Sequence, residues 1–127
     1  MSQWVPVLDK IAAPNNPGAL SDVHPLLVRL IDAFGGNIVA RMLDVNPSMI
    51  TRWKSGGTIS AEMTSRIIDL HDVFNRAFQI MRPRNAVLWL FGQEPLLNGA
   101  RPIDVLAVRG VAPVIEALMG IEAGAYA

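Results

Sequence analysis

Ala40-Arg41-Met42-Leu43-Asp44-Val45-Asn46-Pro47-Ser48-Met49-Ile50-Thr51-Arg52-Trp53 is the segment from which the architecture can be read. Its apolar positions, Ala40, Leu43, Val45, Ile50 and Trp53, are spaced for two short helices joined by a tight turn, the second opening on a capping Asn46. Ala40 is small where the helices must approach closely, and Leu43, Val45, Ile50 and Trp53 are expected to share one core. Ser48, Met49, Thr51, Arg52 and Lys54 are left outside on the second helix, a polar and cationic set. This is the pattern of a helix-turn-helix, whose second helix can enter a DNA major groove. The candidate DNA-contacting residues are therefore Asn37, Asn46, Ser48, Met49, Thr51, Arg52 and Lys54. The turn position that commonly carries Gly is Asp44, which tolerates a left-handed backbone less well than Gly and sets an anion beside the DNA face.

Outward from this segment, Leu26, Leu27, Leu30, Ile31 and Phe34 recur at helical spacing and predict a helix over 25–34, opened by Pro25 and ended by Gly35-Gly36. The helix-turn-helix occupies 37–54, closed by Ser55-Gly56-Gly57. Residues 1–20 read as an N-terminal arm and loop, with the turn cluster Pro14-Asn15-Asn16-Pro17-Gly18. After it, Ser60 is a candidate N-cap for a long helix over 61–81, with Glu62 favourably near its positive end. Met63, Ile67, Leu70, Phe74, Ala77 and Met81 form a heptad seam, open to two readings: packing on the preceding helices, or contact with a second copy. Arg82-Pro83-Arg84 marks a boundary.

The remainder predicts three short helices: 85–91, stopped by Gly92; 102–108, opened by Pro102 and ended by Gly110; and 113–123, opened by Pro113 and capped by Gly124. No run alternates as a strand would. The expected fold class is all-α: an arm over 1–20, a helix-turn-helix domain with its long connecting helix over 21–82, and a small helical C-terminal domain over 83–127.

Composition bounds the function. Apolar residues make up 51% and charged residues 17%, a surplus that fills a core or leaves surface for a partner. Eleven cations balance eleven anions, which argues against avid nonspecific DNA binding. Between Arg41 and Lys54, however, Arg41, Arg52 and Lys54 face only Asp44, and two such patches in a dimer can hold a duplex. There is no cysteine, hence no disulfide and no thiolate metal site. No uncharged apolar stretch reaches the roughly 18 residues of a membrane span, and no secretory leader is read, so a cytoplasmic protein is expected. No phosphate loop, H-E-x-x-H motif or acid-base constellation is present, so neither an enzyme nor a cofactor or metal site is expected.

The C-terminal third carries a resemblance. It contains Ala86-Val87-Leu88-Trp89-Leu90, then Pro95-Leu96-Leu97, Gly99 and Arg101-Pro102-Ile103-Asp104-Val105-Leu106, then Gly110, Val114 and Leu118, and closes Ile121-Glu122-Ala123-Gly124-Ala125-Tyr126. This resembles the toxin-binding domain of the Xre-type antitoxins paired with RES-domain toxins, over about 84–127 and, with the helix-turn-helix, over about 25–127. The resemblance implies an antitoxin that silences a cognate RES-fold, NAD-degrading enzyme by occupying its active-site cleft, and that represses its own operon by binding operator DNA. It implies a homodimer or a higher hetero-oligomer with the toxin. Glu122, Gly124, Tyr126 and Ala127 would lie closest to the toxin site, with Trp89, Leu97, Arg101, Pro102 and Arg109 shaping or holding the toxin-binding domain.

The residues admit plainer readings beside these. Tyr126 either projects as a plug after a left-handed turn at Gly124 or folds back on its own domain. Trp89 and Trp53 read first as core, and Arg101 and Arg109 as solvated charge. His24 and His71 receive no role. Two alternatives remain: a stand-alone helix-turn-helix regulator with no toxin, and an adaptor whose helix-turn-helix has lost DNA.

Overall fold

Pro25 supplies a fixed φ and needs no amide partner in the first turn of helix α1 (His24–Phe34), and Gly35 at φ 87° ends it. The computed structural model describes residues 22–124; the expected arm over 1–20, and Tyr126 and Ala127, lie outside the described residues. Among those described there are seven α-helices, one 3₁₀ turn and no strand, so the fold is all-α. They divide into two units, 22–71 and 72–124.

In the first unit, α1 is followed by α2 (Gly36–Leu43), α3 (Pro47–Lys54) and the start of α4 (Ala61–Ala77), a helix that ends in the second unit. The expected Gly35-Gly36 break is a one-residue corner, because Gly36 already belongs to α2. Asp44 takes the left-handed turn at φ 55° and ψ 49°, its N–H reaching the carbonyls of Ala40 and Arg41. Asn46 is extended, and its side-chain oxygen accepts the Ser48 N–H at 3.0 Å, satisfying an amide that α3 leaves open. α1, α2 and α3 pack on one another. Leu27, Leu30, Val39, Leu43, Ile50 and Trp53 are buried, each large aliphatic contributing roughly 1.5–3 kcal/mol of transfer free energy. Val45 departs from expectation. It is half-buried, placed in the turn with its N–H on the Ala40 carbonyl at 3.0 Å.

Two histidines fasten α1 within this unit. His24 Nε2 donates to the Gly57 carbonyl at 2.8 Å, tying the start of α1 to the turn after α3. His71, on α4, donates Nε2–H to the Leu26 carbonyl at 2.8 Å from a buried position.

Ser60 caps α4 as expected, its Oγ accepting the Met63 N–H at 3.1 Å. The helix ends at Ala77, four residues short of Met81. Its last turn tightens to i→i+3 bonds, Gln79 N–H to Arg76 O and Ile80 N–H to Ala77 O, ahead of Arg82, which must be extended before Pro83. Ile67, Leu70, Phe74 and Ala77 are buried within the chain, so the middle of the seam is not exposed to a second copy.

The second unit adds α5 (Pro83–Phe91), a 3₁₀ turn (Pro95–Leu97), α6 (Pro102–Arg109) and α7 (Val111–Glu122). α5 packs on α6, α6 on α7, and α7 on the 3₁₀ turn. Val73, Phe74, Ala77, Ala86, Leu90, Val114 and Leu118 are its most buried apolar residues. Two helix starts differ from the sequence reading. α5 begins at Pro83 rather than Asn85, because Pro favours the first helical position. α7 begins at Val111 rather than Pro113: Gly110, at φ 82°, turns the chain directly out of α6, and Pro113 lies in the first turn, where a missing N–H costs nothing. No helix among the described residues is long and apolar enough to cross a membrane.

Candidate functional site

Two surfaces gather the candidate residues, one in each unit. In the first, α3 turns Ile50 and Trp53 inward and leaves Ser48, Thr51, Arg52 and Lys54 exposed, as its 3.6-residue period requires. Asn37, on the first turn of α2, and the capping Asn46 are also exposed, and Met49 is half-buried. Thr51 Oγ1 bonds back to the Pro47 carbonyl at 3.4 Å, which spends that hydroxyl on the helix itself. The turn after α3 is tight. A Cβ on Gly57 would fall 2.8 Å from the Arg52 carbonyl oxygen, so only glycine lets the chain fold back there. Neither Arg52 nor Lys54 makes an ion pair among the described residues.

The second surface is organised by a residue that sequence reasoning passed over. Glu94 is 1% exposed. Its Oε1 accepts the Trp89 indole N–H at 2.8 Å, and its Oε2 accepts the Leu96 N–H at 2.7 Å. Its backbone carbonyl accepts the N–H groups of Leu97 and Gly99, and its own N–H donates to Ala100 O. Asn98 and Gly99 both take positive φ, closing the loop on this carboxylate. With both of its oxygens hydrogen-bonded, the burial of the acid is offset. A signal was available: an acidic residue directly before Pro95 at the start of a short helical turn is a cap position.

Trp89 is half-buried and tied to Glu94, rather than fully in the core. Leu97 is half-buried within the same loop. Gly120 lets this loop approach α7: a Cβ there would lie 2.9 Å from Leu96 Cδ1. Arg101 is exposed and forked onto Asp104 at 2.7 and 2.9 Å, so neither plain solvation nor a free cation describes it. That hydrogen-bonded pairing holds the Asp104 carboxyl below, and the Arg101 guanidinium above, its ordinary range. Arg109 is exposed at the end of α6. Glu122 is paired with Arg76 at 2.7 Å, a partner 46 positions away that no local spacing could have indicated. Gly124 is exposed and left-handed at φ 83°, its N–H on the Ile121 carbonyl at 3.0 Å. No hydrogen bond or ion pair among the described residues joins Arg101 or Arg109 to Glu122.

Among the described residues, the large apolar side chains left exposed all belong to this unit: Leu88 at 63%, Leu96 at 41%, Val108 at 84% and Met119 at 51%. No group of three His, Cys, Asp or Glu suited to a metal ion occurs among the described residues.

No protein-family model matches the chain. Over 88 residues it is 31% identical to a probable mycobacterial cidal antitoxin of Mycobacterium tuberculosis, the match covering 69% of this chain and 76% of that protein. Its fold is similar to a chain in the crystal structure of the M. tuberculosis MbcT–MbcA toxin–antitoxin complex, with a TM-score of 0.66 and 19% identity, covering 83% of this chain and 97% of that one. The class so defined is an all-α antitoxin. Within it, the chain belongs to the family of the mycobacterial cidal antitoxin.

Proposed function

We propose that the chain binds and silences a cognate RES-domain toxin that degrades NAD, and that it represses its own operon through α3. The observation that carries this reading is the identity with an antitoxin along most of the length of both chains. The C-terminal domain, 83–127, is the toxin-binding part; 21–82 is the helix-turn-helix part with its long helix, preceded by the arm over 1–20. The complex acts in the cytoplasm, with no catalysis of its own and no cofactor.

The mechanism is steric. Glu122, Gly124, Tyr126 and Ala127 occupy the mouth of the toxin's active site, and Trp89, Leu97, Arg101 and Arg109 hold or border the surface that docks. Several features support the reading. The left-handed Gly124 gives the chain a sharp exit from α7. Exposed Leu88, Leu96, Val108 and Met119 supply apolar area of the kind that anchors an interface. An aromatic ring, Tyr126, follows two residues after Gly124 in the sequence, suited to a cleft that receives a nucleotide.

DNA contact is assigned to Asn37, Asn46, Ser48, Met49, Thr51, Arg52 and Lys54. The supporting observation is that Arg52 and Lys54 are exposed on α3. A net charge of zero makes a single copy a weak binder, so two copies, alone or in a complex with the toxin, grip the operator together.

The test is co-expression of the toxin with the full chain and with a form lacking Gly124 to Ala127. The full chain protects cells and the shortened one fails to; full protection by the shortened form would overturn the plug. For DNA, a shift of the promoter fragment that weakens steeply with salt, and loses part of that slope in Arg52→Ala or Lys54→Ala, supports phosphate contact. No shift at low salt, with or without toxin, removes autoregulation.

A further inference from the structure

The last turn of α7 contains an oddity. Glu122 sits at the negative end of the helix macrodipole, where a carboxylate is disfavoured, and no basic residue of α7 accompanies it. The compensating charge comes from elsewhere in the unit. Arg76, in the last turn of α4, reaches Glu122 Oε1 with its Nη2 at 2.7 Å. The guanidinium is itself partly enclosed: its Nε is buried with no hydrogen-bond partner among the described residues, and Glu122 makes its one ion pair there. Half-covered, the pair is screened by solvent and salt less than a fully exposed one.

What the pair controls follows from its place in the chain. Two residues after Glu122, Gly124 turns left-handed, with Ala123 N–H on Met119 O and Gly124 N–H on Ile121 O, both at 3.0 Å. Among the described residues those two bonds are the last that hold the helix end, and helix ends fray unless something ties them down. Glu122 is the one residue of this turn whose side chain is tied to another helix. We infer that Arg76 is a positioning residue: through Glu122 it pins the C-terminal turn of α7, 121–124, and so sets the direction in which the chain leaves toward its partner. The inference rests on the antitoxin reading above for its consequence, but not for its geometry. It makes the part of Glu122 at the mouth of the toxin one of holding the turn, through Arg76.

The experiment uses the full chain, as wild type, Arg76→Met, Glu122→Gln, the double variant and the charge-reversed Arg76→Glu/Glu122→Arg. Two readouts are taken, backbone ¹⁵N order parameters at 121–124 and affinity for the purified toxin, with a thermal melt to confirm that each variant folds. Arg76→Met keeps the apolar stem, and a variant that failed to fold would leave Glu122→Gln and the reversed pair to decide. In both single variants the order parameters at 121–124 fall from about 0.85 toward about 0.6. Toxin affinity falls about 3- to 5-fold in each, the double variant is no worse than either, and the reversed pair recovers most of the loss. Unchanged order parameters in Arg76→Met overturn the inference. So does a loss of affinity in Glu122→Gln that Arg76→Met does not share, because Glu122 would then be touching the toxin itself. If the wild type binds no toxin, the antitoxin reading fails, while the order parameters still judge the role of Arg76.

Discussion

Acid should loosen the first unit through a single imidazole. His71 is 1% exposed and gives its Nε2–H to the Leu26 carbonyl at 2.8 Å. Burial, above all, and then the charge of Arg29 hold its pKa down to about 4, against the opposite pull of that carbonyl. In the unfolded chain the ring titrates near its ordinary 6.5. Between these values the unfolded form takes up a proton that the folded form refuses, so stability falls as pH falls and is unaffected by this group above the unfolded pKa. At 1.36 kcal/mol per unit, the whole interval is worth about 3 kcal/mol, about 1.4 of it gone by about pH 5.5 and about 2.6 by about pH 4.5. That is a large share of the roughly 5–15 kcal/mol by which a domain is stable. The assay is urea unfolding of the wild type and of His71→Gln, whose amide can still donate to Leu26 but does not titrate. The difference in stability between the two proteins should shift toward the glutamine form by those amounts as the pH is lowered from about 7.5. Parallel pH dependences for the two proteins, or an imidazole titration by NMR with its midpoint near 6.5, would refute the reasoning.

Three further outcomes are expected. Asn46→Ala removes the acceptor for the Ser48 N–H and should cost about 1 kcal/mol in urea unfolding, with operator binding weakened in proportion to the fraying of α3. Glu94→Ala strips the partners from the Trp89 indole and the Leu96 amide together. It should cost about 3 kcal/mol in a thermal or urea melt and shift Trp89 fluorescence, whereas Glu94→Gln, whose amide can accept from only one of the two N–H groups and turns its NH2 toward the other, should lose at least half of that. Asp44→Gly relieves a left-handed non-glycine residue at φ 55° and should leave stability level or raise it by up to about 1 kcal/mol, measured as a change in the urea midpoint.

The helices were legible wherever a local rule acts alone. Asn46 and Ser60 cap where their side chains can accept, Gly35 and Gly110 stop helices where positive φ is needed, and Ile50 and Trp53 point inward because helical spacing leaves them no other side. Boundaries went astray where two local rules compete. Pro113 reads as a helix start, but Gly110 turns the chain three residues earlier, and Pro is harmless anywhere in a first turn. The seam through Phe74 and Ala77 ran on in pattern to Met81, while the extended residue required before Pro83 shortened the helix itself. The α3 surface was readable because its residues are neighbours in sequence. The second surface was read only in its outline, because what organises it is long-range or buried. The pairing of Arg76 with Glu122 spans 46 positions, and a carboxylate such as that of Glu94, closed inside a loop, has the sequence appearance of an ordinary surface acid.

Under the proposed function, the loop around Glu94 separates upkeep from recognition. Its polar backbone is satisfied from the inside by one acid, so exposed side chains beside it, such as Leu88 and Gln93, carry little of its folding. A lineage can therefore exchange those tips one at a time, drifting toward a new mate without rebuilding the frame, much as a key is recut while its shank stays the same. Divergent pairs of this kind would be expected to keep the acid and the indole while their exposed tips scatter, which makes this short arc the natural place to engineer orthogonal sets.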